Sequence, residues 1–320
     1  MLISRNLKLK LILFYTWKSL LYYTLLAIAV FLLHDYYKII DLSIPFNTIT
    51  ALSTALAIFL GFKNNYAYDR WWEARKVWGL LVNYSRVWER EVRILIGKND
   101  LEDQTEINSL KRKLVFRHIG FVNALRVYLR KTNGFINKKV ELFEEENQYV
   151  EVKNYLDPVE FVHFYNKNNP PNYLLNEQGK DLKNAYDKNW IKEYHLIRLE
   201  ETLIEFNNIQ GMCERIKNTP FLRQYSFFSR VFVFIHASLI PFAFVSGDLH
   251  LAMIPISVAI SFVFLALDLI GERTEDPFEN RLEDVSMTAL CTAIERDLKE
   301  SIEEPSLPEK IKSNADGVLM

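Results

Sequence analysis

The chain is poor in the residues from which most catalytic and metal sites are built. Only two cysteines, Cys213 and Cys291, occur in 320 residues. They have neither the spacing of a zinc site nor the number for a disulfide framework, and read as buried thiols in a reducing interior. The six histidines, His34, His118, His163, His195, His236 and His250, form no His-Glu-x-x-His pair. A Gly-rich phosphate loop and a Gly-x-Ser-x-Gly elbow are missing too. These gaps argue against an enzyme, a bound metal or an organic cofactor. A formal net charge of -1 supplies no basic field for nucleic acid.

What the chain does have is segregated. Hydrophobic residues make up 49% and charged residues 25%, with apolar runs near 15–62 and 226–270 and nearly all the charge in 63–225 and 271–320. One part is suited to lipid and the other to water. Four spans are predicted, 17–35, 45–64, 226–246 and 250–270, each near the ~20 residues that a helix needs to cross a hydrocarbon core. The basic start followed by an apolar run superficially resembles a secretory signal. No small-residue cleavage site follows Phe31-Leu32-Leu33-His34, however, and three more spans come after it. Arg5, Lys8 and Lys10 precede the first span and Lys18 lies at its start, and the 247–249 turn, Gly-Asp-Leu, carries no Lys or Arg. Both termini and the 65–225 insertion are therefore expected in the cytoplasm. Trp17, Tyr22 and Tyr23 near one end, and Tyr36 and Tyr37 near the other, suit interfacial aromatic belts.

The expected organisation is all-α. Residues 1–64 hold the first two spans and 65–225 a helical cytoplasmic domain; 226–270 hold the last two spans and 271–320 a C-terminal helix and tail. Within the insertion, 66–97, 104–132 and 178–217 have the periodicity of long amphipathic helices. Gly134 and Asn-Asn-Pro-Pro-Asn (168–172) mark turns. The tail from Pro305 is polar and Pro-interrupted, expected to be mobile or draped over a neighbour. Arg230 and Asp268 lie in or at the edge of the last two spans, where a charge needs a partner or water. Two readings stay open for them, a structural ion pair or a pore-side role.

The stretch 52–79, LSTALAIFLGFKNNYAYDRWWEARKVWG, contains no helix breaker, so one helix can pass from membrane to water. On a helical wheel Asn47, Thr50, Thr54, Ile58, Gly61, Phe62 and Asn65 share one ~120° sector. Hydroxyl and amide residues interrupted by one Ile and one Phe suit a narrow pore whose apolar rings gate by dewetting. The alternative is that small and polar residues allow close helix packing. A pore lined by one helix type requires symmetry-related copies. Asp69 lies near the edge of that sector, where a carboxylate ring favours cations. Arg70 is expected to pair with Glu73 at i,i+3, with Trp71 and Trp72 packing on neighbouring helices. The acidic segment Glu272-Arg273-Thr274-Glu275-Asp276-Pro277-Phe278-Glu279 lacks EF-hand order. It reads as a solvated turn, with Asp276 or Asp284 capping a helix through 286–300.

IFLGFKNNYAYDRWWEARKVWG (58–79), together with GERTEDPFENRLEDVSM (271–287), resembles the bacterial branch of the bestrophin family. The resemblance covers nearly the whole chain. It implies a homopentameric ion channel of the cell (inner) membrane, in contact with the lipid bilayer, passing chloride or other small ions through one axial pore. It also implies that Ile58 and Phe62 hold two neck positions, and that Thr54 takes a third, bulky and apolar in animal members. Counting eight positions back from the Glu of Glu205-Phe206-Asn207 gives Ile197 as the cytoplasmic restriction, although Leu196, Leu199 and Leu203 around it suit a core position equally. The run of acidic residues that binds calcium in animal members is interrupted here by Thr274 and Pro277. Lys63 falls about 180° from Thr54 and offers no positive ring to the pore. The competing class is a membrane-anchored helical interaction protein without conductance. A Thr50, Thr54, Asn65 stripe buried against a helix of its own subunit favours that anchor; a stripe facing a central axis favours the channel.

Overall fold

Apolar periodicity without interruption from Phe46 to Leu95 produces a single 50-residue helix. The computed structural model describes residues 9–97, 104–131, 149–245, 249–313, 317 and 319. The turns expected at Gly134 and at Gly247-Asp248 lie outside them, as do Arg5 and Lys8. In chain order the helices are α1 (Leu9–Phe31), continued by a wider π-type turn (Leu32–Tyr36), α2 (Phe46–Leu95) and α3 (Gln104–Arg130). A short 3-10 turn (Glu151–Tyr155) leads to α4 (Pro158–Tyr165), α5 (Pro170–Asp187) and α6 (Glu193–Asn218), and then come α7 (Arg223–Phe244), α8 (Met253–Thr274) and α9 (Met287–Ser301). Among the described residues there is no strand, only an isolated pairing of Ile96 with Ile191.

The chain divides into two units, one of 4–71 with 220–276 and the other of 72–219 with 277–320. The first contains α1, the start of α2, α7 and α8, and among the described residues four helices are long and apolar enough to cross a membrane. Its seams are apolar. Val30 packs with Val245 and Met253, Ile49 with Ile240 and Ala243, and Leu56 and Leu60 with Val233. Hydroxyls on these helices turn back to their own backbone, as at Thr16 to the Ile12 carbonyl (2.8 Å) and Thr24 to that of Leu20 (2.8 Å). This leaves little unsatisfied polarity on an apolar surface. Outward lie large apolar side chains such as Phe14, Trp17, Leu21, Leu25, Phe227, Phe234 and Ile270.

The second unit is built around α3, which is buried on nearly every side from Leu114 to Val127. Each charge it takes inside is answered. Arg117 donates to Glu160 (2.5 Å) and Asp181 (2.7 Å), and Arg126 donates to Glu151 (2.5 Å). The helix expected over 178–217 is two helices. Asn189 adopts a left-handed φ of 56° and ends the first, a conformation that Asn tolerates better than other non-glycine residues. Asn-Asn-Pro-Pro-Asn opens a helix instead of marking only a turn. Asn169 caps α5 by accepting from the Asn172 N–H (3.2 Å), and the two prolines occupy positions whose N–H groups have no helical acceptor. Part of the tail is held, because the Arg296 guanidinium donates to the Pro308 carbonyl (2.6 Å).

His118 sits fully buried among Trp88, Phe121 and Phe206. The Ser85 hydroxyl donates to the Leu81 carbonyl (2.6 Å), so its oxygen accepts the His118 Nε2–H (2.8 Å). Burial depresses the imidazole from 6.5 to about 3. The unfolded chain takes up this proton near pH 6.5 and the folded chain refuses it. The associated stability is thus complete above that pH and lost as pH falls below it. Lowering the pH to about 5 is expected to remove roughly 2 kcal/mol. In thermal denaturation of the detergent-solubilised protein, His118→Leu should flatten this dependence.

Candidate functional site

The burial pattern of α2 separates two faces. Ile49, Leu56, Leu60, Lys63, Ala67 and Arg70 are buried at three- and four-residue spacing, with Ser53 half-buried among them. On another side Asn47, Thr50, Thr54, Ile58, Gly61, Phe62, Asn65 and Asp69 are all exposed. Ile58 is 58% and Phe62 67% accessible, so the stripe is not packed against another helix of its own chain. The Thr50 and Thr54 hydroxyls donate to the carbonyls of Phe46 and Thr50 (3.0 Å each). Away from this face, Phe59 stacks on Tyr225 with centroids 4.2 Å apart.

Ile197 belongs to the second unit, on α6, where the sequence left a core position open. Leu199 and Leu203 are buried, but Ile197 is 52% exposed, with Tyr194 and Ile204 exposed on the same side. The core position is therefore excluded within the subunit.

Behind the exposed stripe of α2 is a polar cluster that the sequence only half revealed. Arg230 and Asp268 do not pair with each other. Arg230 donates to Glu272 at an exposed position, whereas Asp268 takes Lys63, Nζ to Oδ1 at 2.7 Å, with both side chains at most 5% accessible. Lys63 also donates to Ser229 Oγ (3.0 Å). The available signal was the position of Lys63 on the same three-four stripe as Leu56 and Leu60. Farther toward the start of α2, Ser53 Oγ lies 2.6 Å from His236 Nε2.

The acidic segment after α8 is not a solvated turn. Glu275, Asp276 and Phe278 are buried, because the carboxylates have cations and donors to meet. Arg223 donates to Glu275 (3.0 Å) and Asp276 (3.2 Å), and the Ser226 hydroxyl donates to Glu275 (2.7 Å). Arg70 Nε donates to the Glu275 carbonyl (2.8 Å) and its Nη2 lies 4.0 Å from Asp276, while Glu73 accepts from Arg215. Burial still raises the Glu275 carboxyl above its ordinary value. Neither Asp276 nor Asp284 caps the following helix. Ser286 occupies that position, without a side-chain bond, and Asp284 Oδ2 accepts from the Arg281 N–H (3.0 Å). Burial pushes the Asp284 carboxyl up to about 7. Among the described residues, no group of three or more His, Cys, Asp or Glu is arranged to hold a metal ion.

The contact of Arg70 with the Glu275 carbonyl is measurable by substitution. Arg70→Lys loses the donor to a buried carbonyl and is expected to destabilise by about 1–3 kcal/mol. Glu73→Gln, at an exposed pair, should change stability by less than about 1 kcal/mol. Thermal shifts of the purified protein would reverse in order if Arg70 leaned on Glu73.

A family model described as "Bacterial/Fungal Bestrophin protein" matches residues 10–300. Over 287 residues the chain is 32% identical to the voltage-dependent anion channel-forming protein YneE of Escherichia coli K12, covering 90% of this chain and 86% of that protein. It is 27% identical to the voltage-dependent anion channel-forming protein sll1024 of Synechocystis over 82% of this chain and 80% of the relative. Among solved structures, a bacterial bestrophin homolog from Klebsiella pneumoniae superposes with a TM-score of 0.77 at 26% identity, covering 90% of this chain and 98% of that one. Long apolar helices, a helical body and a match over almost the full length make the chain a member of the bestrophin family, in its bacterial and fungal branch.

Proposed function

We propose that this chain is the subunit of a homopentameric channel of the bacterial cell membrane, both termini cytoplasmic, that passes small ions down their gradient. The observation that carries the reading is the exposed α2 stripe, Thr50, Thr54, Ile58, Phe62, Asn65 and Asp69, on a helix apolar enough to span a bilayer. A single copy would set two threonines, an amide and a carboxylate against lipid. Copies arranged about an axis turn the same residues toward one conduit. Ile58 and Phe62 then form apolar rings, and passage requires those rings to widen or wet, because a dehydrated ion is strongly disfavoured in a low-dielectric constriction. A rise of 1.5 Å per residue makes the barrier from Ile58 to Phe62 about 6 Å long. A bulky apolar residue at position 54 would extend it to about 12 Å. Thr54 therefore shortens the hydrophobic barrier, and Ile197 supplies a further apolar restriction on the cytoplasmic side.

The names of the relatives put small anions first among the permeant ions. A second reading, cation preference, is favoured by Asp69, an exposed carboxylate one turn beyond Asn65 on the same stripe. Glu275 and Asp276 are committed to Arg70, Arg223 and Ser226, so calcium activation is not part of the proposal.

The test is recording of the purified protein in planar bilayers under asymmetric salt. Ile58→Ala with Phe62→Ala, and separately Ile197→Ala, should raise the current, and silence in wild type and variants alike would favour the non-conducting anchor. The reversal potential gives the sign of the permeant ion. If Asp69 acts on selectivity, Asp69→Asn shifts that potential toward anions. Chelator or added calcium should leave the current unchanged.

A further inference from the structure

Phe62 and Lys63 are consecutive on α2 and have opposite environments, 67% and 1% accessible. The ammonium of Lys63 has three donors and finds three acceptors: Asp268 Oδ1 at 2.7 Å, Ser229 Oγ at 3.0 Å and the Asp268 carbonyl at 3.4 Å. Ser229 lies on α7 and Asp268 on α8, so one side chain ties three helices together at the level of Phe62. The Ser229 hydroxyl has two acceptors in reach, Asp268 Oδ1 (2.8 Å) and the Ser226 carbonyl (2.9 Å), and its single proton serves one at a time. Close approach is secured at Gly271, one turn beyond Asp268. A Cβ there would collide with Asn64 Oδ1 and come within 3.2 Å of Lys63 Cε.

Between the Ser53–His236 contact and Lys63 the seam of α2 is hydrocarbon, with Leu56 and Leu60 against Val233, Phe264 and Leu267. Such contacts are non-directional and tolerate sliding and rotation. A buried ion pair is directional, and leaving either charge alone is strongly disfavoured. Since successive side chains are about 100° apart around a helix, the rotation that satisfies Lys63 also fixes the direction of Phe62.

We propose that the Lys63–Asp268 pair, completed by Ser229, is the positioning device that holds α2 in the rotation presenting Phe62 to the conduit, and so sets the inner end of the neck. The proposal rests on the reading of α2 as the pore-lining helix.

The test uses the full-length assembled protein with two readouts: current per channel in bilayers, and the modification rate by a soluble thiol reagent of the sulfhydryl introduced by Phe62→Cys. The native Cys213 and Cys291 are buried, which keeps the background low. Lys63→Met and Asp268→Asn are each expected to change both readouts by about tenfold, with current rising. The exchange Lys63→Asp with Asp268→Lys should return them to within about twofold of wild type. Arg230→Gln, which removes an exposed charge from the same unit, should move neither. Where Lys63→Met fails to assemble, Ser229→Ala and Gly271→Ala serve instead and should shift both readouts in the same direction. Assembled pair variants with wild-type current and thiol reactivity, alongside Ile58→Ala/Phe62→Ala variants that do conduct more, would overturn the positioning role while leaving the channel intact. Absence of current in wild type and neck variants would overturn both.

Discussion

A polar group removed from water must find a partner, and the membrane unit is organised by that requirement. Its helices hold charge, hydroxyl and imidazole in an otherwise hydrocarbon interior, and several of these groups on α2 meet specific neighbours: Lys63 meets Asp268, Ser53 meets His236, and Thr50 and Thr54 meet their own backbone. Hydrophobic contacts alone cannot choose one rotation of α2 over its neighbours, because lipid is as apolar as the seam. The polar contacts make that choice, and the exposed stripe is what remains on the side they leave open.

The second unit obeys the same rule. Arg117 and Arg126 enter the core of the second unit only with carboxylates in hand, and His118 enters it neutral. Arg70 and Arg223 meet the buried carboxylates of Glu275 and Asp276 in the membrane unit. A segment that looks like a flexible acidic turn is in fact a closed electrostatic knot.

Much of this was legible in the sequence. Segregation of apolar runs from charge locates the four long apolar helices among the described residues, and the absence of breakers after Leu52 implies that α2 continues past the apolar run. The wheel separated Thr50, Thr54, Ile58 and Phe62 from Leu56 and Leu60 because helical period depends on spacing alone. What failed were pairings between residues distant in sequence. Proximity along the helix suggests Glu73 for Arg70, yet Arg70 donates to the Glu275 carbonyl some two hundred residues away. Charge at membrane depth suggests Arg230 for Asp268, while the helical wheel says of Lys63 only that it faces away from the pore. Local periodicity says which side a residue takes, not what waits there. The split between α5 and α6 was missed for a related reason: a left-handed Asn189 leaves the amphipathic pattern of both flanking helices intact.

Gly271 carries a consequence that belongs to inheritance. The two charges beside it can be exchanged together without leaving an orphan, so positions 63 and 268 can change as a couple. The glycine has no such companion, since even a methyl group meets Asn64 and the stem of Lys63. Descent should therefore write the ion pair as correlated change and the glycine as stillness.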